Sequence, residues 1–270
     1  MKAAILCREF CRTALQTLRY FGERGTPLSL VVIETGQRKK FSGTELDFIK
    51  AHQEFERILG RGPSIFRRTL ARVPNGLRNE FSSLYKKLSG KSDQPVADCA
   101  AENSIPVVRV ERHSSEEARR LLEEHGIETG LLTRSSWLIK EPLLSMCNFR
   151  LVNVHPAKLP EHRSLDSLPW SIISGGPIGL TVHFIDKGVD TGPVLLFREV
   201  KPLAGDDLIR LRERIDSLIP EAFYDAVTGL QAGLLEPVEQ SPEAGVHHRP
   251  MTVEELVEAD RALRKMTENG

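Results

Sequence analysis

Apolar positions set out most of an α/β fold before any chemistry is considered. Residues 3–7 form an unbroken apolar run, the pattern of a strand covered on both faces. An amphipathic stretch over 12–21 follows, and then a run rich in β-branched residues over 28–33. Strand, helix, strand at this spacing opens a parallel sheet. Residues 36–95 interrupt the rhythm. They are polar and basic, with Gly60, Gly62, Pro63, Pro74, Gly76 and Gly90 as punctuation. Helices are expected there over 44–59 and 77–88, and no strand. The rhythm resumes with a strand at 105–110 and a helix opened by a Ser114/Glu117 capping box and stopped at Gly126. Further strands are expected at 130–133, 151–155, 180–185 and 194–200.

After Pro202 the period changes. Leu208, Leu211, Ile215, Leu218, Ala222, Phe223, Ala226 and Leu230 recur at three- and four-residue steps. That is one long amphipathic helix, or a pair joined at Pro220. Thr252 and Glu255 form a second capping box, before a helix carrying Leu256, Ala259 and Leu263. The expected fold is therefore α/β, a mostly parallel sheet flanked by helices. It carries a helical insertion at 36–95 and a helical C-terminal appendage. The expected units are a catalytic domain over 1–205 and an extension over 206–270.

A length of 270 residues suits this arrangement and holds a core without disulfide or metal staples. The 37 basic and 37 acidic residues cancel, which argues against a protein built to grip nucleic acid along its length. The cancellation hides an asymmetry: residues 1–100 carry a net +8 and residues 101–270 a net −8. The positive excess lies within 36–91, with 13 basic and 5 acidic residues. Four cysteines without a CxxC spacing read as small buried hydrophobes of a reducing compartment. The apolar run 3–7 ends at Arg8 and Glu9, too short for a signal core or a membrane span. A cytoplasmic protein without membrane contact is expected.

Two stretches carry candidate chemistry. In Leu151-Val-Asn-Val-His-Pro156, Asn153 and His155 stand two apart on a strand and share a face, with Val152 and Val154 on the other. Pro156 ends the ladder, so the pair sits at a strand's carboxyl end, where open α/β sheets bind ligands. An amide and an imidazole there suit oxyanion stabilisation and proton transfer. The second stretch, Asp186-Lys-Gly-Val-Asp-Thr-Gly-Pro193, is a loop between strands offering the carboxylates of Asp186 and Asp190. Taken singly, the first also fits a satisfied core histidine and the second an ordinary turn.

Taken together, the ordered motifs resemble the folate-dependent formyltransferases. The resemblance rests on Asn153-Val-His-Pro-Ala-Lys-Leu-Pro160, Arg163, Trp170, the glycine at 175, Gly179-Leu-Thr-Val-His183 and Val189-Asp-Thr-Gly192. It is fullest over 127–200 and looser over 1–35 and 105–126. The family includes glycinamide ribonucleotide, methionyl-tRNA and sugar N-formyltransferases. The resemblance implies a Rossmann-like core with Asn153, His155 and Asp190 as the catalytic trio. It implies 10-formyltetrahydrofolate as co-substrate and no metal, so His183 and Asp186 are not read as ligands. It also implies folate contacts from Ser135, Ser136, Trp137, Leu138 and Ile139 on one loop and Asp186, Lys187, Gly188 and Val189 on another. Pro156, Lys158, Leu159 and Arg163 fall where substrate binds. The chain departs from the family in three places. Ala157-Lys replaces a Ser-Leu, Ser164 stands where a glycine is usual after the arginine, and Arg8-Glu9-Phe10 replaces small residues.

The acidic balance beyond 206 weighs against a tRNA acceptor. What remains is the amine of a small biosynthetic acceptor, such as an amino sugar, with the basic segment 36–91 as a rim for an anionic one. A homodimer is left open. Two alternatives also stay open: a hydrolase releasing formate from the same folate, and a non-catalytic folate- or nucleotide-binding relative.

Overall fold

The computed structural model describes residues 1–36, 43–59, 94–133, 135, 137–241 and 243–268. The helix expected over 77–88, Ser136, and the part of the basic segment that carries most of its charge lie outside the described residues. Among the described residues seven strands make the main sheet: β1 (Ala3–Cys7), β2 (Leu30–Glu34), β3 (Val107–Val110), β4 (Thr129–Leu132), β5 (Arg150–His155), β7 (Gly179–Phe184) and β8 (Val194–Glu199). Their order is β3-β2-β1-β4-β5-β7-β8. The first five run parallel, β7 is antiparallel to β5, and β8 is antiparallel to β7. A two-stranded parallel ribbon joins β6 (His162–Ser164) to β9 (Val246–His248), which the apolar pattern did not announce.

The helices are α1 (Arg12–Glu23), α2 (Gly43–Ile58), α3 (Val96–Glu102), α4 (Glu116–Glu124), α5 (Ser167–Ile173), α6 (Leu208–Ser217), α7 (Ile219–Gln231) and α8 (Val253–Glu268). The unbroken apolar runs are explained by cover on both faces. Ile5, Cys7, Val31, Ile33, Leu131 and Val152 pack with Leu18 and Phe21 of α1, Leu211 of α6 and Phe223 of α7. The alternate residues Ala4, Leu6, Leu30, Val32 and Leu151 pack with Ala118 and Leu122 of α4.

The apolar stripe after Pro202 folds as a helix pair, with Leu218 at the junction and Pro220 in the first turn of α7. Its buried residues join the same cluster as β1 and α1, so the core runs without a break across residue 205. The buried Asp260 of α8 accepts from the Leu208 amide at 2.9 Å, tying the last helix to the start of α6. The Thr252/Glu255 box forms, with Thr252 N donating to Glu255 at 2.8 Å and Glu255 N donating to Thr252 Oγ1 at 3.3 Å. The Ser114/Glu117 box does not form, and a single cap bond from the next serine takes its place. Ser115 is the cap, accepting from Ala118 N at 3.1 Å, while Ser114 Oγ accepts from Lys140 N at 2.8 Å. Ser115 has the extended backbone of a cap. In α2, Phe55 is buried in the main cluster, which anchors this helix beside the sheet.

Candidate active site

Strand alternation puts Leu151, Asn153 and His155 on one face of β5 and Val152 and Val154 on the other, where they meet the larger cluster. The antiparallel pairing of β5 with β7 sets Asn153 opposite His183 and His155 opposite Thr181. The loop after β7 folds back so that Asp190 returns to the same face. Asp190 Oδ2 lies 3.4 Å from His155 Nδ1, and Asp190 Oδ1 lies 3.7 Å from His183 Nε2. The three residues assigned to the trio thus stand together, with His183 as a fourth.

The hydrogen bonds fix their states. His183 Nδ1 donates to the Phe184 carbonyl at 2.7 Å, leaving Nε2 to accept from Asn153 Nδ2 at 3.3 Å. The Asn153 amide is therefore turned with its NH2 toward His183, and its second N–H is left for a ligand. His155 Nε2 donates to the His162 carbonyl at 2.8 Å. Its Nδ1 is then the proton-free nitrogen of the neutral ring, and it faces Asp190. Burial holds the His155 pKa down to about 4, against the opposing pull of Asp190. Burial likewise lowers that of His183. Both rings are neutral at physiological pH, and a proton arriving on His155 Nδ1 meets a carboxylate.

The carboxylate is placed by strained backbone. Asp190 has φ 56° and Ser164 has φ 72°, both left-handed, and Ser164 N donates to Asp190 Oδ2 at 2.9 Å. Ser164 occupies the position where the family usually has glycine, and its backbone takes the conformation that favours glycine.

Two cavities flank this centre. The smaller, about 280 Å³, is lined by Asn153, His183 and Asp190 together with Ser135, Trp137, Leu138, Ile139 and Asp186–Asp190. Every described residue assigned to the folate loops is among its walls. Ser135 also anchors its loop: its Oγ donates to the buried Glu34 at 3.1 Å and accepts from Trp137 N at 3.3 Å. The larger cavity, about 830 Å³, is lined by Pro156, Ser164 and Asp166, by Arg12 of α1, by His52 and Glu56 of α2 and by Arg212 of α6. Thr133 borders both. The other positions assigned to substrate lie elsewhere. Lys158 pairs with Glu161 at 2.8 Å, Leu159 is buried, and Arg163 is buried and lines neither cavity.

Four residues that matter here were not assigned from the sequence: His183, Ser164, Glu34 and Gln240. Gln240 Nε2 donates to the carbonyls of Asp190 at 3.2 Å and Gly192 at 2.6 Å. Two of them carried a signal: His183, by its alternation with Thr181 on a predicted strand, and Ser164, by standing where a glycine is usual.

The mostly parallel sheet with a polar cluster at the carboxyl end of a central strand defines a Rossmann-like α/β protein. The family described as formyl transferase matches residues 83–227, more than half of the sequence, and the chain belongs to that family. It is 30% identical over 148 residues to the methionyl-tRNA formyltransferase of Pelobacter propionicus, covering 54% of this chain and 46% of that protein. It is 28% identical over 171 residues to the methionyl-tRNA formyltransferase of Caldanaerobacter subterraneus, covering 63% and 55%. The chain spans about half the length of these curated relatives. In fold it is similar to glycinamide ribonucleotide transformylase 1 from Symbiobacterium toebii, with TM-score 0.55, 18% identity, and 89% and 95% of the two chains covered. Among the described residues no helix is long and apolar enough to cross a membrane, and no three His, Cys, Asp or Glu side chains are grouped to hold a metal.

Proposed function

We propose that this chain moves a formyl group from 10-formyltetrahydrofolate to the amine of a small acceptor. The carrying observation is the placement of Asn153, His183 and Asp190 in the wall of one cavity, beside a second cavity reached past Thr133, Pro156 and Ser164. The smaller cavity suits a flat, polar-edged ring. Leu132, Ile139 and Ile185 supply apolar walls and Asp186 a polar edge. When bound, the folate supplies the formyl carbon as electrophile. The larger cavity takes the acceptor.

The residues divide the work. Asn153, held by His183, donates its free N–H to the oxygen that gains charge as the amine attacks, a contribution of about 3–4 kcal/mol for one such donor. Asp190 accepts the proton that the amine loses. His155 Nδ1 lies behind that carboxylate and shares the proton, which is returned to the departing nitrogen. The C–N bond to the acceptor forms, the bond to the carrier nitrogen breaks, and no proton is left over.

Arg12 in the acceptor cavity supports a small acceptor that carries an anionic group, of the amino-sugar kind, while Arg212 there is paired with Asp216 at 2.8 Å. The acidic walls of the same cavity, Glu56 and Glu213, suit the approach of its amine. The test is a panel of amine metabolites with 10-formyltetrahydrofolate, read by tetrahydrofolate formation. An acceptor-dependent signal lost in Asn153→Ala and Asp190→Ala is expected. Formate release independent of any amine assigns a hydrolase, and folate binding with no turnover across the panel overturns catalysis.

A further inference from the structure

The segment beyond the formyl transferase match reaches the Asp190 turn through the side chain of Gln240. Gln240 lies between α7 and β9, outside residues 83–227. Its Nε2 bridges the carbonyls of Asp190 and Gly192, and its Oε1 accepts from Arg163 Nη2 at 3.0 Å. The amide orientation is dictated at both ends, because a guanidinium only donates and carbonyls only accept. Arg163 is 1% exposed. No carboxylate lies within ion-pair distance of it among the described residues, and its other acceptor is the Ser241 carbonyl at 3.2 Å. A buried guanidinium without a counter-ion is costly, and Arg163 Nε has no partner, so its two Nη2 bonds are the ones that offset the burial. It therefore holds Gln240 in one orientation.

We propose that Gln240 is a positioning residue for Asp190: it clamps the backbone of the 190–192 turn so that the carboxylate stays against His155. The clamp matters because Asp190 has a left-handed backbone, a conformation of higher energy than the extended or helical ones even for an aspartate. Ser164 N holds the carboxylate from one side, and Gln240 holds the peptide units from the other. The β6–β9 pairing, with Arg163 opposite His247, fixes the distance between Arg163 and the segment that carries Gln240. The C-terminal segment thus completes the site instead of only flanking it.

This rests on the reading that Asp190 and His155 share a proton, and the test separates the two. The full chain is labelled at histidine, and the His155 ring is followed by NMR as the pH is lowered from 7. Burial lowers the pKa of that ring most, Asp190 and the His162 carbonyl raise it, and His183 and Arg212 lower it. In Gln240→Met the carboxylate moves away, so His155 protonates at lower pH than in the wild type, in the direction set by Asp190→Asn. If Gln240→Met fails to fold because Arg163 is stranded, the double variant Arg163→Met/Gln240→Met removes that buried charge and shows the same displacement. A tail-anchoring role alone lowers the melting temperature and leaves the His155 curve in place. Superimposable curves for the wild type and the folded Gln240 variant, with Asp190→Asn displaced, overturn the positioning role. If Asp190→Asn also superimposes, the Asp190–His155 contact and the proposed proton path fall together.

Discussion

Lowering the pH from 7 to 4 puts a proton on histidine 155 of the unfolded chain before it can put one on the folded protein. In the unfolded chain the ring titrates near 6.5, and in the fold burial holds it to about 4. Between those values the unfolded state binds more protons, so stability falls as the pH falls. The loss is about 2 kcal/mol by pH 5 and about 3 kcal/mol by pH 4, for a ring that is 4% exposed. Other buried histidines, His113, His162 and His183, act in the same direction. The contribution of His155 is isolated by comparing the wild type with His155→Gln in urea titrations at several pH values, followed by tryptophan fluorescence. The stability difference between the two proteins should shrink by about 2 kcal/mol in favour of the variant from pH 7 to pH 5. A difference that stays constant over this range refutes the depressed pKa and the neutral, proton-accepting ring drawn from it.

Asn153→Ala should lower kcat about 100- to 1000-fold for the acceptor found in the screen, with folate affinity changed far less; equal losses in both would place Asn153 in ground-state binding. Glu34→Ala should cost about 1–3 kcal/mol, because it strands His113 N and Ser135 Oγ, which donate to the buried Glu34 Oε1 at 3.3 and 3.1 Å. Weaker 5-formyltetrahydrofolate binding should accompany it, since Ser135 holds the Trp137 loop. An unchanged melting temperature contradicts this. Ser164→Gly should raise stability by up to about 1 kcal/mol by relieving the left-handed φ of 72°. A clear destabilisation in urea would show that the Ser164 side chain, and not its backbone amide, holds the loop.

The apolar pattern determined the inner strands most directly: both faces of the sheet are covered there, so β1 and β2 each write their burial into five consecutive residues. The shared face of Asn153 and His155 followed from strand periodicity alone. The motif order was enough to place Asp190 with them by resemblance. Other features depended on contacts between residues far apart in sequence. The return of β7 antiparallel to β5 puts His183 against Asn153, 30 residues away. Gln240 reaches Asp190 across 50 residues, and Glu34 reaches the Ser135 loop across 101. No local period encodes such contacts. A glutamine in an irregular segment looks the same whether it faces water or two carbonyls, and a glutamate ending a strand gives no sign that it is buried. The sequence by itself determined which residues form the scaffold and which types of group carry the chemistry. Only the tertiary structure decided their protonation, because that depends on how deeply each is buried and on which distant donor holds it.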